Sequence, residues 1–340
     1  MLRYLTAGES HGEALTCILE GLPSGLTVAA ADIKRELARR RSAPGRSARQ
    51  KKETDAFRVL SGMHRGSTTG APVAILIPNA AAKAHSPCSV PRPGHADLPG
   101  MLKYGIRDAA LIRERASARH TACVSAMGAF ALRLLSDTGA RFSSRVVSLG
   151  TTANPSPEEA RRLIAAAAAD GDTLGGVFEL TCSGLPAGLG SHVHHDRRLG
   201  ARLGAALLGI NGIKGFETGG GFDLSSWKGT LAARDRRVSG GLDGGMTNGG
   251  DLVLRCAMKP VPGTEAGVPS FDCRCGGPAV SRSATSDVTA VYAAAVVAEH
   301  AAALELASAL LEKFGGDTMD EIKERVRVWR KKTAKFTRVR

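Results

Sequence analysis

Apolar positions along the chain fall into short strand-like runs and longer helical stretches. "MLRYLT" (1–6) is half apolar and reads as a first strand. A polar, Gly-flanked turn, "AGESHG" (7–12), separates it from a second apolar segment, "EALTCILEGLPSGL" (13–26). Further strand-like runs are "FRVLSGM" (57–63), "PVAILIP" (72–78), "RVVSLGTT" (145–152), "GGVFELTC" (175–182) and "DLVLRCAMKPV" (251–261). Residues 114–136 predict one long helix, rich in Ala and other small residues and therefore able to pack closely on all sides. Residues 157–169 predict a helix with Ser156 as N-cap, Pro157 at its first position and Glu158 and Glu159 in its first turn. Residues 195–209 predict another, with Asp196 as its cap. Residues 289–314 predict a second Ala-rich helix, and a last one follows "GGD" (315–317) and runs into a basic tail over about 329–340.

One segment echoes another. "GLPSGL" (21–26) returns as "GLPAGL" (184–189), each after a strand-like run and before a helical, Arg-rich stretch. Such a long-period repeat suggests two related halves, with the two small-residue helices paired between them. Sheets outside and helices inside is one layered solution for these elements. The expected fold class is α+β: a β-α-β sandwich, central helices between two antiparallel sheets, with an internal two-fold repeat. The whole chain, 1–340, is expected to form a single domain.

Composition narrows the function. The 340 residues can bury a sizeable core, and a hydrophobic content of 43% is ordinary for a globular protein. No run of 18 apolar residues predicts a membrane span, and no charged n-region with an apolar h-region predicts a secretory signal. Seven scattered cysteines, an odd number, argue against a disulfide framework and for a reducing cytoplasm. The Cys273-x-Cys275 pair lacks a second thiol pair at metal spacing, and "SHVHHD" (191–196) lacks further ligands, so no metal site is expected.

Net charge is +14, which points to a polyanionic partner, either nucleic acid or a small phosphate or carboxylate. Aromatics make up only 4% of the chain, too few for bases to stack on, and no nucleic-acid motif is present. The arginines gather instead near Gly, Ser and His. The densest constellation, "RPGHADLPGMLKYGIRDAALIRERASARHTA" (92–122), holds His95, Asp97, Lys103, Arg107, Asp108, Arg113, Arg115, Ser117 and Arg119. On a continuous helix Arg115 and Arg119 share a face, and Arg forks grip carboxylate and phosphate oxygens in pairs. The competing reading is a solvated basic helix start. A second basic cluster, "ARRRSAPGRSARQKK" (38–52), contains Arg40 and Arg46 and is either an anion clamp or a surface loop. Asp287 stands just ahead of the last Ala-rich helix, where an N-cap is the plain alternative to a functional role. No Walker-type loop or Rossmann unit accompanies the Gly-rich runs "GGG" (219–221) and "GGLDGGMTNGG" (240–250).

"AGESHGEALTCILEG", "RPGHADLPGMLKYGIRD", "RASARHTA", "GGMTNG", "MKPVP" and "SDVTAVYAAAVVAE" together, in order and spacing, resemble the chorismate synthase family over nearly the whole chain. The resemblance implies conversion of 5-enolpyruvylshikimate-3-phosphate to chorismate by anti-1,4-elimination of phosphate. It also implies reduced FMN as cofactor, with NADPH as a further nucleotide, and a cytoplasmic homotetramer without nucleic-acid or membrane partners. By resemblance His11 protonates the leaving phosphate, His95 protonates or stabilises the reduced flavin, and Asp287 relays a proton; histidine suits such work because its pKa lies near working pH. Arg40 and Arg46 match arginines that grip the anionic substrate and also contact NADP, and Arg107 and Arg119 would join that clamp. Arg115, Ala116, Ser117, Asn211, Gly212, Gly244 and the run Lys259, Pro260, Val261, Pro262, Gly263 match flavin contacts, as does the position of Thr285.

The chain departs from the family pattern at several places. Thr285 stands where an arginine is usual, Gly263 where a threonine ends the "KPIPT" turn, Ala110 where an arginine follows the "KYGxRD" run, and His120 where glutamate is common. The segment between Asn211 and Gly244 is short. These departures leave open a divergent paralogue with weak flavin binding and low activity. The charge alone leaves open a basic nucleic-acid-binding protein, which steep salt dependence of DNA binding distinguishes.

Overall fold

The computed structural model describes residues 2–47, 53–80, 82–283 and 287–336. Strands β1 (Arg3–Gly8) and β2 (Ala14–Glu20) pair antiparallel, Arg3 opposite Glu20 and Gly8 opposite Leu15, with the "AGESHG" turn at their bend. Strict alternation along β2 buries Leu15, Cys17 and Leu19 and leaves Thr16, Ile18 and Glu20 outside. With β3 (Arg58–Ser61) and β4 (Val73–Pro78) they form a four-stranded sheet in the order β1-β2-β4-β3. A five-stranded sheet, β8-β9-β7-β5-β6, is built from β5 (Arg141–Leu149), β6 (Thr152–Ala153), β7 (Gly176–Ser183), β8 (Ile213–Thr218) and β9 (Leu252–Met258). Every pairing in the two sheets is antiparallel. β7 and β9 each bury alternate residues: Phe178, Leu180 and Cys182 on one, Leu252, Leu254 and Cys256 on the other.

Helices α1 (Ala30–Arg41), α4 (Thr121–Asp137) and α7 (Val291–Phe314) meet one another in the core. α4 packs on β2 and β4, and α7 on β5 and β7. α4 is buried on all sides from Thr121 to Ala131 because Ala, Gly, Ser and Cys let its neighbours approach closely. At Gly128 a Cβ would lie 2.4 Å from the Cβ of His300 on α7, so only glycine fits there. α7 is long and apolar enough to cross a membrane, yet 89% of its most apolar window is buried inside the protein. Smaller helices are α2 (Asp97–Tyr104), α3 (Ala109–Ala116), α5 (Pro157–Ala169), α6 (Leu199–Leu208) and α8 (Met319–Phe336).

Several sequence expectations change at element ends. The helix expected over 114–136 is broken: Ser117 is extended (φ −67°, ψ 140°), and its hydroxyl accepts the Arg119 N–H, so one helix ends and a short 3₁₀ turn (Ala118–His120) leads into α4. Arg115 and Arg119 therefore do not share a helix face. The helix expected over 195–209 begins only at Leu199, after an extended Arg198, and Asp196 is bonded to the His194 ring instead of capping it. α5 matches its expectation, with a reciprocal capping box between Ser156 and Glu159. The basic stretch from Trp329 is helical as far as Phe336 and anchored: Trp329 Nε1 donates to Ala187 O, and Arg330 to Thr138 O.

The two echoing turns bond alike. Thr68 Oγ1 donates to Pro23 O and accepts from Leu26 N, while Thr68 O accepts from Gly25 N. Thr247 Oγ1 donates to Pro186 O and accepts from Leu189 N, while Thr247 O accepts from Gly188 N. Both threonines are buried, so removing either hydroxyl strands a carbonyl and an N–H. Thr68→Val and Thr247→Val are each expected to cost about 1–3 kcal/mol in chemical denaturation. A neutral result at one site would show that the two turns do different structural work.

A buried charge network ties α1, α7 and β5 together. Glu36 accepts from Arg39 at 2.7 Å and lies 3.0 Å from His300 Nε2. Arg39 also forks onto Glu299 at 2.7 and 2.9 Å, and Ser144 donates to Glu299. Burial alone pushes the Glu36 carboxyl up, but His300 and Arg39 more than reverse this and bring it from 4.5 to about 2. A carboxyl depressed in the fold stabilises it above about pH 4.5, and that contribution is lost as pH falls toward 2. Thermal melts between these pH values should therefore fall more steeply for the parent than for Glu36→Gln; parallel slopes would remove Glu36 from the acid response.

Candidate active site

A cleft of about 1280 Å³ opens where loops from both sheets converge. The β1–β2 turn contributes Glu9, Ser10, His11 and Gly12, and the segment after α1 contributes Arg46 and Ser47. The stretch before α2 brings Arg92, Gly94 and His95; α3 and the turn after it bring Arg113, Glu114, Ala116, Ser117 and Arg119. Asn211, Gly212 and the Met258–Pro262 run close another wall, with Asp287 beside them. Arg46, Lys83, Arg92, Arg113, Arg119 and Lys259 outnumber Glu9, Glu114 and Asp287 along the lining, so the cleft attracts anions.

Each of the two central histidines has a carboxylate partner. His11 Nδ1 lies 2.6 Å from Glu114 Oε1, while the His11 N–H and Ser10 Oγ donate to Glu114 Oε2 at 2.7 and 2.9 Å. Burial raises the Glu114 carboxyl, but these bonds outweigh it and hold it below its usual range. His95 Nδ1 lies 2.5 Å from Asp97 Oδ1, and Arg92 Nη2 is within 3.1 Å of both ring nitrogens. Asp97 is fully buried and also accepts from the Arg92 backbone and side chain and from Arg113 Nε at 2.7 Å. Burial opposes ionisation of Asp97, yet His95 and Arg92 hold it well below the ordinary carboxylate range.

The arginines separate into three settings. Arg46 Nη1 donates to Asp287 Oδ2 at 2.6 Å, the Ser47 N–H donates to Asp287 Oδ1, and Arg46 Nε is buried without a hydrogen-bond partner among the described residues. Asp287 thus does not cap α7, whose N-cap is Ala290. Arg119 borders the cleft but is 1% exposed; it bonds Asp55, forms an ion pair with Glu53 at 3.2 Å, and donates from Nε to Asn79 at 2.9 Å. Asn79 in turn donates to the carbonyls of Glu9 and Gly12, so this buried network supports the turn that carries His11. Arg40 lies beneath the floor, bonded to Thr121 Oγ1 and Ala118 O, with burial and the Arg46 charge pushing it down to about 9. Arg107 is exposed between α2 and α3 and does not line the cleft.

The expected flavin contacts also divide. Ala116, Ser117, Asn211, Gly212, Lys259, Pro260, Val261 and Pro262 line the cleft. Asn211 Nδ2 donates to Ala116 O at 2.9 Å, and Lys259 Nζ donates to Gly94 O, binding the His95 loop to the Met258–Pro262 wall. Arg115 instead ties α3 to β1 through Thr6 O and Oγ1 at 2.8 and 2.6 Å. Gly263 is buried off the lining, and Gly244 turns the hairpin between Leu242–Asp243 and Met246–Thr247 with φ +58°. Thr285 lies outside the described residues. Sequence reasoning missed Glu114, Asn79, Glu53 and Asp55; Asn79 alone carried a signal, as a polar residue closing the apolar β4 run.

A family profile described as "Chorismate synthase" matches residues 2–311. The chorismate synthase of Nocardioides sp. is 44% identical over 377 residues, covering 94% of this chain and 96% of the relative. That of Caldanaerobacter subterraneus subsp. tengcongensis is 44% identical over 339 residues, covering 95% and 96%. A solved structure titled "Crystal Structure of Chorismate Synthase" superposes with a TM-score of 0.77 at 35% identity, covering 96% of this chain and 97% of that one. The chain belongs to the chorismate synthase family.

Proposed function

We propose that the cleft holds 5-enolpyruvylshikimate-3-phosphate beside reduced FMN and removes phosphate by anti-1,4-elimination to give chorismate. The observation that carries this reading is the convergence of His11 and His95, each with its own carboxylate, in one cation-rich cleft. Its volume of about 1280 Å³ exceeds the roughly 300–1,000 Å³ of a typical single-ligand pocket, enough for two ligands side by side.

The residues fit a flavin. Met258, Pro260, Val261 and Pro262 offer an apolar wall for a flat ring system. Asn211 Oδ1 is buried without a hydrogen-bond partner among the described residues and can accept from a ring N–H. Asn211 and the Met258–Pro262 wall would hold reduced FMN, which would supply electron density for the elimination with no net redox change. His11 delivers a proton to the departing phosphate. His95, with Asp97 accepting at Nδ1, holds or moves a proton on the flavin side through Nε2. Asp287, paired with Arg46, receives a proton for relay. Arg46 grips a phosphate through the part of its fork that Asp287 leaves open, and of Arg40 and Arg46, the two that match NADP contacts, it is the one that borders the cleft. Arg40 and Arg119 act from below, holding the floor and the His11 turn.

The same reading takes the chain as a single domain, a β-α-β sandwich with an internal two-fold repeat. The sheet orders β1-β2-β4-β3 and β5-β7-β9-β8 correspond strand for strand, and the matched threonine turns support it. It also takes the enzyme as a cytoplasmic homotetramer. Seven free thiols fit a reducing compartment, and the exposed apolar Leu5 and Ile18, opposite one another on the outer face of β1 and β2, suit a subunit interface. The test is an FMN titration with and without substrate. Tighter flavin binding in the presence of substrate supports adjacent ligands; mutual exclusion contradicts it.

A further inference from the structure

We infer that Glu114 is the positioning residue of His11, fixing its tautomer and holding the imidazole ready to give a proton from Nε2. The inference rests on the reading of His11 as the acid that meets the leaving phosphate. It stands on geometry. Both carboxylate oxygens of Glu114 are spent on the His11 turn: Oε1 on His11 Nδ1 at 2.6 Å, and Oε2 on the His11 N–H at 2.7 Å and on Ser10 Oγ at 2.9 Å. A carboxylate with both oxygens so engaged accepts at Nδ1, so Nδ1 carries hydrogen and the proton that can be given up sits on Nε2. Glu114 comes from α3, which ends at the extended Ser117, so a rigid element sets the ring and not the turn itself. His11 is 21% exposed and Glu114 13%, a setting in which the pair is partly shielded from water.

In the elimination the carbon–oxygen bond to phosphate breaks with its electron pair going to oxygen, while a carbon–hydrogen bond at the far end of the 1,4 system breaks, its pair completing the new diene and its proton leaving by the relay that includes Asp287. The Nε2 proton passes to that phosphate, and the ring is left neutral with Nδ1–H still on Glu114. Solvent reprotonates Nε2 between turnovers. The carboxylate favours the imidazolium, so its charge keeps His11 protonated to higher pH. Other charges near His11 are Glu9 and Glu13 in its own turn, Lys83, whose N–H donates to His11 O, and Arg119 and Arg46 along the cleft. Ser10 Oγ, which donates to Glu114, also lies 3.2 Å from His11 Nδ1.

The test is the pH dependence of kcat for Glu114→Gln and Glu114→Asp, beside His11→Ala. Glu114→Gln is expected to lower kcat about ten-fold or more, to change KM for substrate less than kcat, and to move the high-pH limb down by about one unit. Glu114→Asp should restore much of the limb's position, since it returns the charge. Ring ¹⁵N shifts of His11, read without turnover, should show the Nδ1–H tautomer weakened in Glu114→Gln. A slow His11→Ala beside a Glu114→Gln limb that stays put overturns this inference alone. A His11→Ala enzyme with parental kcat removes His11 as the acid, and the inference goes with it.

Discussion

His11→Ala and His95→Ala each lower turnover by about 10²- to 10⁴-fold while the protein stays folded, the range expected for loss of a general acid or base. Both side chains border the cleft and neither belongs to the core, at 21% and 15% exposed. Their carboxylates keep other partners: Glu114 still accepts from the backbone at residue 11 and from Ser10, and Asp97 from Arg92 and Arg113. No buried charge is stranded, so thermal stability should hold within a few degrees of the parent. The rates are measured anaerobically with saturating reduced FMN, alongside melting curves. Turnover within about three-fold of the parent for both variants would remove the two histidines from the proton chemistry.

Arg119→Ala is expected to cost about 3–5 kcal/mol of folding stability, because it leaves Glu53 and Asp55 buried without their main counterion. Arg40 cannot take over: it lies 3.6 Å from Asp55 and is already bonded to Thr121 and Ala118. The loss should reach the active site, since Arg119 also holds Asn79, which holds the turn bearing His11. Arg119→Lys should recover only part of the stability, because an ammonium lacks the fork that spans two carboxylates and an amide. Chemical denaturation of both variants checks this. A cost below about 1 kcal/mol for Arg119→Ala would mean the cluster tolerates unpaired acids, against the usual cost of stranding a buried charge.

Much of the fold was legible where local chemistry decides it. Apolar runs marked β2, β7 and β9, small residues marked α4 and α7, and Ser156 with Pro157 marked the start of α5. The break at Ser117 was not legible, because "ERASARHTA" has good helix formers throughout; a side-chain bond to Arg119 N–H and an extended backbone end the helix there. The site was legible in part. His11, His95, Arg46 and Asp287 do converge. The partner of His11, however, is 103 residues away in sequence, and no spacing rule reaches that far. Arg40 and Arg119 look like a substrate clamp by residue type, yet their buried acids, Glu53 and Asp55, lie on a stretch whose sequence gives no hint of the pairing. Among the departures from the family pattern, Ala110 borders the cleft, while Gly263 and His120 lie off its lining. His120 is bonded to Ser117 O, and burial, with the nearby Arg115 and Arg40, keeps its ring below the usual pKa.

As a member of the chorismate synthase family the chain is a carbon–oxygen lyase of aromatic amino acid biosynthesis. Both histidine–carboxylate pairs stand in one cation-rich cleft. The most direct measurement is anaerobic turnover of 5-enolpyruvylshikimate-3-phosphate with chemically reduced FMN, following chorismate and phosphate together. The account predicts equal amounts of the two products, many turnovers per enzyme, and reduced flavin unchanged at the end. Substrate and flavin that both bind while neither chorismate nor phosphate appears would contradict it.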